Sequence, residues 1–467
     1  MKRLLYLMLA ILTFISSVNG QNVSVINGVW ERGRAPETMK LYAIENGSLR
    51  ELASSQVNEN GGFLFAFSPK EEGFFVIGPN TLARNRYTFY FKPGDQLNVK
   101  ILPDGSELFG ENTPENIEMA KWHGFVEPMV VKVHGSGGSL GRGTFEDFFP
   151  LLVEKETAFN NYPAANTPNT KFNALFTDFK KADFTSLPVA YMFTMRSVHP
   201  TEEQFPDFYR NLSLEDLTKD DFLLGYPDGV DLISRVYMRV ILGDTTITAE
   251  KRDQFLQNPA SFILVDPRIK SPVIKGELAL RFARNNRTTA GLNEFLSKYG
   301  NLIQTESQKE RLRAIEIAIF ANAEGNDAID FSFPDQNGNM VALSDFKGKV
   351  VYIDVWATWC GPCKREIPHL LRLKEEYKDN ENIVFMCVSV DASRDKQKWA
   401  EFIVAEDMSG VQLFAGDDAQ KALMEPYNIM GIPRFILIGK DGRVILANAP
   451  APSSNEIRAI LNEALGR

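Results

Sequence analysis

At 467 residues, 44% hydrophobic and 24% charged, the chain is too long for one small module and too apolar to be disordered; at about 100–200 residues per domain it holds two to four domains. Against 51 basic residues it carries 60 acidic ones, a net charge of −9, which excludes a general nucleic-acid binder, since such a protein must neutralise phosphates. Three cysteines and four histidines exclude a disulfide-stapled scaffold and leave little material for a Cys/His cluster, so neither a metal nor another cofactor is expected.

The chain opens with Lys2 and Arg3, an apolar run over residues 4–15, and a small, polar stretch with Val18 and Gly20 at cleavage-site positions. This reads as a secretory signal peptide over residues 1–20, too short in its apolar part to span a bilayer. No cysteine follows for lipidation. A periplasmic or other extracytoplasmic location is therefore expected.

Residues 21–111 read as a β-sandwich-like domain: short apolar runs punctuated by Asn-Gly, Gly-Gly and Pro-Gly-Asp. Residues 86–101 (RYTFYFKPGDQLNVKI) alternate around Pro93-Gly94-Asp95 and predict a hairpin. From residue 112 to 324 the pattern turns helical, as in 307–322 (SQKERLRAIEIAIFAN), with Leu312, Ile315, Ile319 and Phe320 at helical spacing. The glycine-rich stretch 135–143 (GSGGSLGRG) lacks the Gly-Lys-Ser/Thr of a phosphate-cradling loop and is read as a flexible loop. Residues 325–467 alternate strands with helices, an α/β unit: strands over 350–355 and 383–390, a helix over 363–377, a hairpin around Lys440-Asp441-Gly442, and a last helix over 454–465.

Two of the three cysteines, Cys360 and Cys363, stand in Trp-Cys-Gly-Pro-Cys between a strand and a helix. A Cys-x-x-Cys beside a βαβ pattern is a redox dithiol signature. Cys360 falls at a helix start, where free N–H groups and the helix dipole favour a thiolate, which makes it the nucleophile. Cys363, one turn further in, resolves the mixed disulfide, and the two form the redox disulfide. Pro362, with no N–H to lose, suits the first helical turn. A zinc site would need a second cysteine pair, and a static disulfide closing so small a loop would stabilise little.

The segment 330–368 (DFSFPDQNGNMVALSDFKGKVVYIDVWATWCGPCKREIP) resembles the TlpA/ResA-like thioredoxin family. It has that family's leading hairpin, the Lys-Gly-Lys entry, the Trp-Ala-Thr-Trp run and a Glu-x-Pro after the motif; the distal Gly431-Ile432-Pro433 is similar to the thioredoxin-fold cis-proline segment. The resemblance covers residues 325–467 and implies a C-terminal thioredoxin fold, behind the β-rich and helical extension, with the activity of an exported thiol–disulfide oxidoreductase. It implies that Ile432-Pro433 is a cis bond beside the dithiol and offers backbone groups to a substrate strand, with Trp359, Gly361 and Pro362 on the dithiol's own side. It also places Asp354 at the thioredoxins' buried aspartate and Glu366 at the family's glutamate after the motif, each a candidate to manage the proton of Cys363.

Cys387, the third cysteine, aligns where many cytosolic thioredoxins have a lysine paired with that aspartate, so Asp354 is expected to lack a counter-charge and to titrate higher still. Cys387 itself reads as an inert strand cysteine, and His123, His134, His199 and His369 as surface residues. The Gly-Pro dipeptide resembles reducing thioredoxins and favours a reductase of protein disulfides, recharged by a membrane electron donor. The competing readings are a disulfide oxidase or isomerase, and a binding or docking protein, seated in the first two regions, that carries an accessory thioredoxin unit.

Overall fold

A computed structural model describes residues 22–134, 144–194, 198–244, 246–286 and 288–466. The expected signal peptide and the glycine-rich stretch 135–143 lie outside the described residues. The chain divides into two compact units, Met1–Leu278 and Ala279–Arg467.

The first unit begins with two four-stranded sheets. One has the order β4-β1-β7-β8, from β1 (Ser24–Trp30), β4 (Gly62–Phe67), β7 (Gln96–Leu102) and β8 (Gly105–Leu108); the other has the order β3-β2-β5-β6, from β2 (Thr38–Glu45), β3 (Ser48–Gln56), β5 (Gly73–Gly78) and β6 (Tyr87–Phe91). Alternation along β1 and β4 buries Ile26, Phe63 and Phe65. Phe67 of β4 meets Phe75 of β5 and Phe91 of β6 edge-on, both with ring centroids 5.2 Å away, so the two sheets share one aromatic layer. The expected hairpin over residues 86–101 does not form. Its strands β6 and β7 belong to different sheets, β6 pairing with β5 and β7 with β1 and β8. All five residues of β6 are buried, and the Pro93-Gly94-Asp95 turn carries the chain from one layer to the other.

Helices α1 (Pro114–His134), α2 (Phe145–Asn160), α3 (Thr170–Met192) and α4 (Gly229–Gly243) follow. Their mutual packing is dominated by aromatic rings, such as Phe159 stacked on Phe184 at 4.6 Å and Phe148 on Tyr191 at 4.2 Å. His123 of α1, read from sequence as a surface residue, is half-buried: its ring lies edge-on against Phe89 at 5.2 Å and Tyr87 at 6.0 Å, and desolvation holds its pKa down at about 4.

The second unit begins within the helix Pro272–Arg284 and continues with α5 (Thr289–Tyr299) and α6 (Glu306–Ala321), then a short hairpin of β9 (Ser332–Pro334) and β10 (Met340–Ala342). Its centre is a five-stranded sheet of order β13-β12-β11-β14-β15, built from β11 (Val350–Trp356), β12 (Ile383–Ser389), β13 (Val411–Phe414), β14 (Arg434–Ile438) and β15 (Val444–Leu446). β11 runs parallel to β12 and antiparallel to β14. The chain between Asp391 and Pro433 builds α8 (Lys396–Ala405) and β13, a parallel crossover that widens the sheet by one strand. Before it comes α7 (Gly361–Glu376), and α9 (Glu456–Leu465) closes the unit, ending on Gly466 in the left-handed conformation. At the sheet's edge, Asp335 of the β9–β10 turn bridges Leu413 of β13.

Candidate functional site

Every residue of β11 is buried, and its alternation sends Val351, Ile353 and Val355 to one core and Tyr352, Asp354 and Trp356 to the other. The second face is the one covered by α7, and its core cluster contains Cys360 and Cys363. Cys360 is the N-cap of α7: its backbone is extended (φ −81°, ψ 102°) and its Sγ accepts the Cys363 N–H at 3.1 Å. Cys360 and Cys363 are joined by a disulfide, with Cα atoms 5.3 Å apart. Cys360 is 4% exposed and Cys363 1%, whereas Trp359, Gly361 and Pro362 around them are exposed, Trp359 at 61%. The dithiol thus sits just beneath a surface made by its own neighbours.

The register Val355↔Arg434 ends the β11–β14 pairing, so the two residues before Arg434 lie at the same end of the sheet as the dithiol. These are Ile432 and Pro433, half-buried and joined by a cis peptide bond. Asp354 is 3% exposed and faces Cys387 on β12 and Phe435 on β14. Its Oδ1 has no hydrogen-bond partner. Burial pushes its pKa up to about 7, with the Lys374 ammonium pulling it down and the Glu366 carboxylate pushing it further up.

Chemically, this is a disulfide at a helix start with a poor-water carboxyl behind it. A helix start of this kind can stabilise negative charge on a reduced sulfur, and an acid titrating near neutrality can exchange a proton.

The Redoxin family model matches residues 323–463. The thiol-disulfide oxidoreductase ResA of Bacillus subtilis is 32% identical over 132 residues, covering 27% of this chain and 70% of that protein. The thioredoxin-like protein YneN of the same organism is 33% identical over 142 residues, covering 30% of this chain and 75% of that one. A crystal structure of a candidate thiol-disulfide oxidoreductase from Bacteroides vulgatus shares 42% identity, covering 31% of this chain and 98% of that one with a TM-score of 0.28. The chain belongs to the ResA-like thiol-disulfide oxidoreductases. The matched segment is the C-terminal one, and the β-rich and helical regions of this ResA-like protein lie ahead of it.

Other groups of the ResA-like site are visible only in three dimensions. The cation beside Asp354 comes from α7 instead of from β12. Lys374 is buried, its ammonium donating to the Ser409 carbonyl and reaching Cys387 Sγ at 3.6 Å. Cys387 does lie directly across from Asp354, as the alignment expects, but the inference that Asp354 lacks a counter-charge is corrected: a lysine on the active-site helix supplies it. Burial raises the Cys387 thiol's pKa, which keeps it protonated. Asp391, fully buried at the end of β12, accepts from the Thr358 N–H at 2.9 Å, the Thr358 hydroxyl at 2.7 Å and the Ser389 hydroxyl at 2.7 Å. It thereby anchors the turn two residues ahead of Cys360. Glu366 is held by Ser453, whose N–H and hydroxyl donate to its two carboxylate oxygens at 3.0 and 2.9 Å. No spacing in the sequence marks Lys374 or Ser453; Asp391 has a faint signal, as the acid that ends an apolar strand.

Proposed function

We propose that this oxidoreductase reduces disulfides of exported proteins through Cys360 and Cys363. The observation that carries the reading is the Cys363 N–H on Cys360 Sγ at the first turn of α7, since a sulfur so placed is the one a helix start stabilises as thiolate. In the reduced protein the Cys360 thiolate attacks a substrate disulfide; one S–S bond forms, one breaks, and the first substrate sulfur leaves as thiolate. Cys363 then passes its proton to the Asp354 carboxylate and displaces the second substrate sulfur from Cys360, restoring the internal disulfide. Glu366 acts through charge: it raises the proton affinity of Asp354, which makes that carboxylate the better acceptor. Trp359, Gly361, Pro362 and the cis Ile432-Pro433 segment form the surface that a substrate strand meets.

The Gly-Pro pair between the cysteines supports the reductase direction, and a protein reducing exported substrates draws its two electrons from a dithiol donor at the membrane. The basic and apolar leader over residues 1–20 supports an extracytoplasmic location; among the described residues no helix is long and apolar enough to cross a membrane. The β-sandwich and the helices after it are the natural place for a partner to dock.

Cys363→Ser removes the resolving thiol and is expected to accumulate mixed disulfides on Cys360 with exported proteins, visible as bands lost on reduction. Absence of adducts, with the variant folded, overturns the assignment. Direction is read separately from the equilibrium of the dithiol with a glutathione buffer: a potential in the range of strong oxidants refutes the reductase reading while leaving the cysteine roles intact.

A further inference from the structure

The first unit carries an open cavity of about 1040 Å³, at the upper end of the range of small-molecule sites. Its walls are of two kinds. Val126, Val130 and Val133 on one face of α1, with Phe179, Leu187 and Ala190 on one face of α3, make an apolar lining. The other part is charged. Arg86 is paired with Asp228 and Arg235 with Asp231 at 2.6 Å, while Asp183 is occupied by the Trp122 N–H at 2.8 Å and the Tyr226 hydroxyl at 2.9 Å.

That leaves Arg32 and Arg84, which pair with no carboxylate among the described residues. Arg32 donates to the Arg84 carbonyl at 2.6 Å and toward the Tyr87 hydroxyl at 3.5 Å, which brings the two residues together and leaves further N–H donors on both guanidiniums. Glu127, which also lines the cavity, feels the charge of Arg32 without a direct ion pair to it, so the guanidinium donors of Arg32 and Arg84 are what the cavity offers to an incoming acceptor. Both arginines are half-buried, and a guanidinium with spare donors favours a charged acceptor. Leu82 and Val198, both lining the chamber, are about half exposed, so it opens to solvent.

We propose that this cavity binds an amphiphilic organic anion, a long-chain carboxylate whose head lies on Arg32 and Arg84 and whose chain runs along the valine and alanine walls of α1 and α3. A peptide fits less well, because each of its residues brings an N–H and a C=O that need partners, and the apolar walls offer none. The site is separate from the dithiol, and nothing in it depends on the redox assignment.

The test uses the full-length oxidised protein and laurate, titrated calorimetrically below its micellar concentration, with dodecanol and dodecylammonium as companions of equal chain length. Saturable binding of one laurate is expected, at least tenfold tighter than dodecanol, with dodecylammonium weaker again. The double change Arg32→Gln/Arg84→Gln should cost laurate at least tenfold and leave dodecanol unmoved. Ala190→Trp, which fills the apolar end, should abolish both while circular dichroism and insulin reduction remain as in the parent. No saturable laurate binding to the parent protein overturns the proposal, as does equal binding of the three amphiphiles. If laurate affinity survives loss of both arginines, the head-group assignment is wrong and the proposal falls with it.

Discussion

Asp354 is the single acid on a strand whose other six residues are apolar or aromatic, and its burial couples the stability of the domain to pH. Its folded pKa, about 7, stands above its ordinary 3.8. A carboxyl raised in this way leaves stability intact below pH 4 and erodes it as pH rises through 7, because the unfolded chain ionises first. Asp354→Asn is therefore expected to match the parent at pH 4 and to exceed it at pH 8, by at most about 4 kcal/mol, in urea unfolding of the oxidised protein. A constant difference across that range would show that the carboxyl does not titrate there. Lys374→Met removes the cation that opposes this shift, so the Asp354 midpoint, followed by carboxyl NMR, should move above about 7; an unmoved midpoint would mean that Lys374 serves only Ser409. The cysteines and Asp354 were legible in the sequence because each breaks its surroundings, two sulfurs at fixed spacing and one charge in an apolar run. Lys374 was not, because it stands in a helix end already full of charges, Lys374-Glu375-Glu376-Tyr377-Lys378, where only the fold decides which one turns inward.

Among the elements, the turn between β11 and α7 aims the dithiol, and Asp391 fixes that turn from the neighbouring strand. Asp391→Ala leaves two buried donors on Thr358 and one on Ser389 without their acceptor, and a loss of about 3 kcal/mol in urea unfolding is expected. Thr358→Val keeps the backbone bond and loses only the hydroxyl's, so about 1 kcal/mol is expected. If the two changes cost the same, the backbone contact carries no weight. The element-level misreading has an equally physical origin. Residues 86–101 alternate and turn as a hairpin does, and that pattern records which side chains are buried, not which strand each backbone pairs with. In a two-layer sandwich, consecutive strands can be buried to the same depth in opposite sheets, and β6 and β7 are. The strands of the thioredoxin unit were easier to read, because long apolar runs flanked by helices leave few alternatives to a parallel centre.

At the scale of the molecule, the dithiol, Asp354, Lys374, Asp391 and the cis-proline segment all lie within the unit that begins at Ala279. A fragment of residues 279–467 is accordingly expected to reduce insulin within about twofold of the full chain's rate per molecule, since the chemistry is local. A tenfold loss, with the fragment folded, would make the first unit part of the catalytic apparatus.

The Asp335–Leu413 bridge has a consequence for handling the protein at high concentration. β13 is the outermost strand on its side of the central sheet, and an uncovered row of backbone donors and acceptors there would template stacking of one molecule on the next. The small turn ahead of the catalytic segment lies over part of that row like a bumper. Trimming residues 330–343 to make a minimal enzyme would strip it off, and turbid, thioflavin-positive suspensions are the expected reward for the shortening.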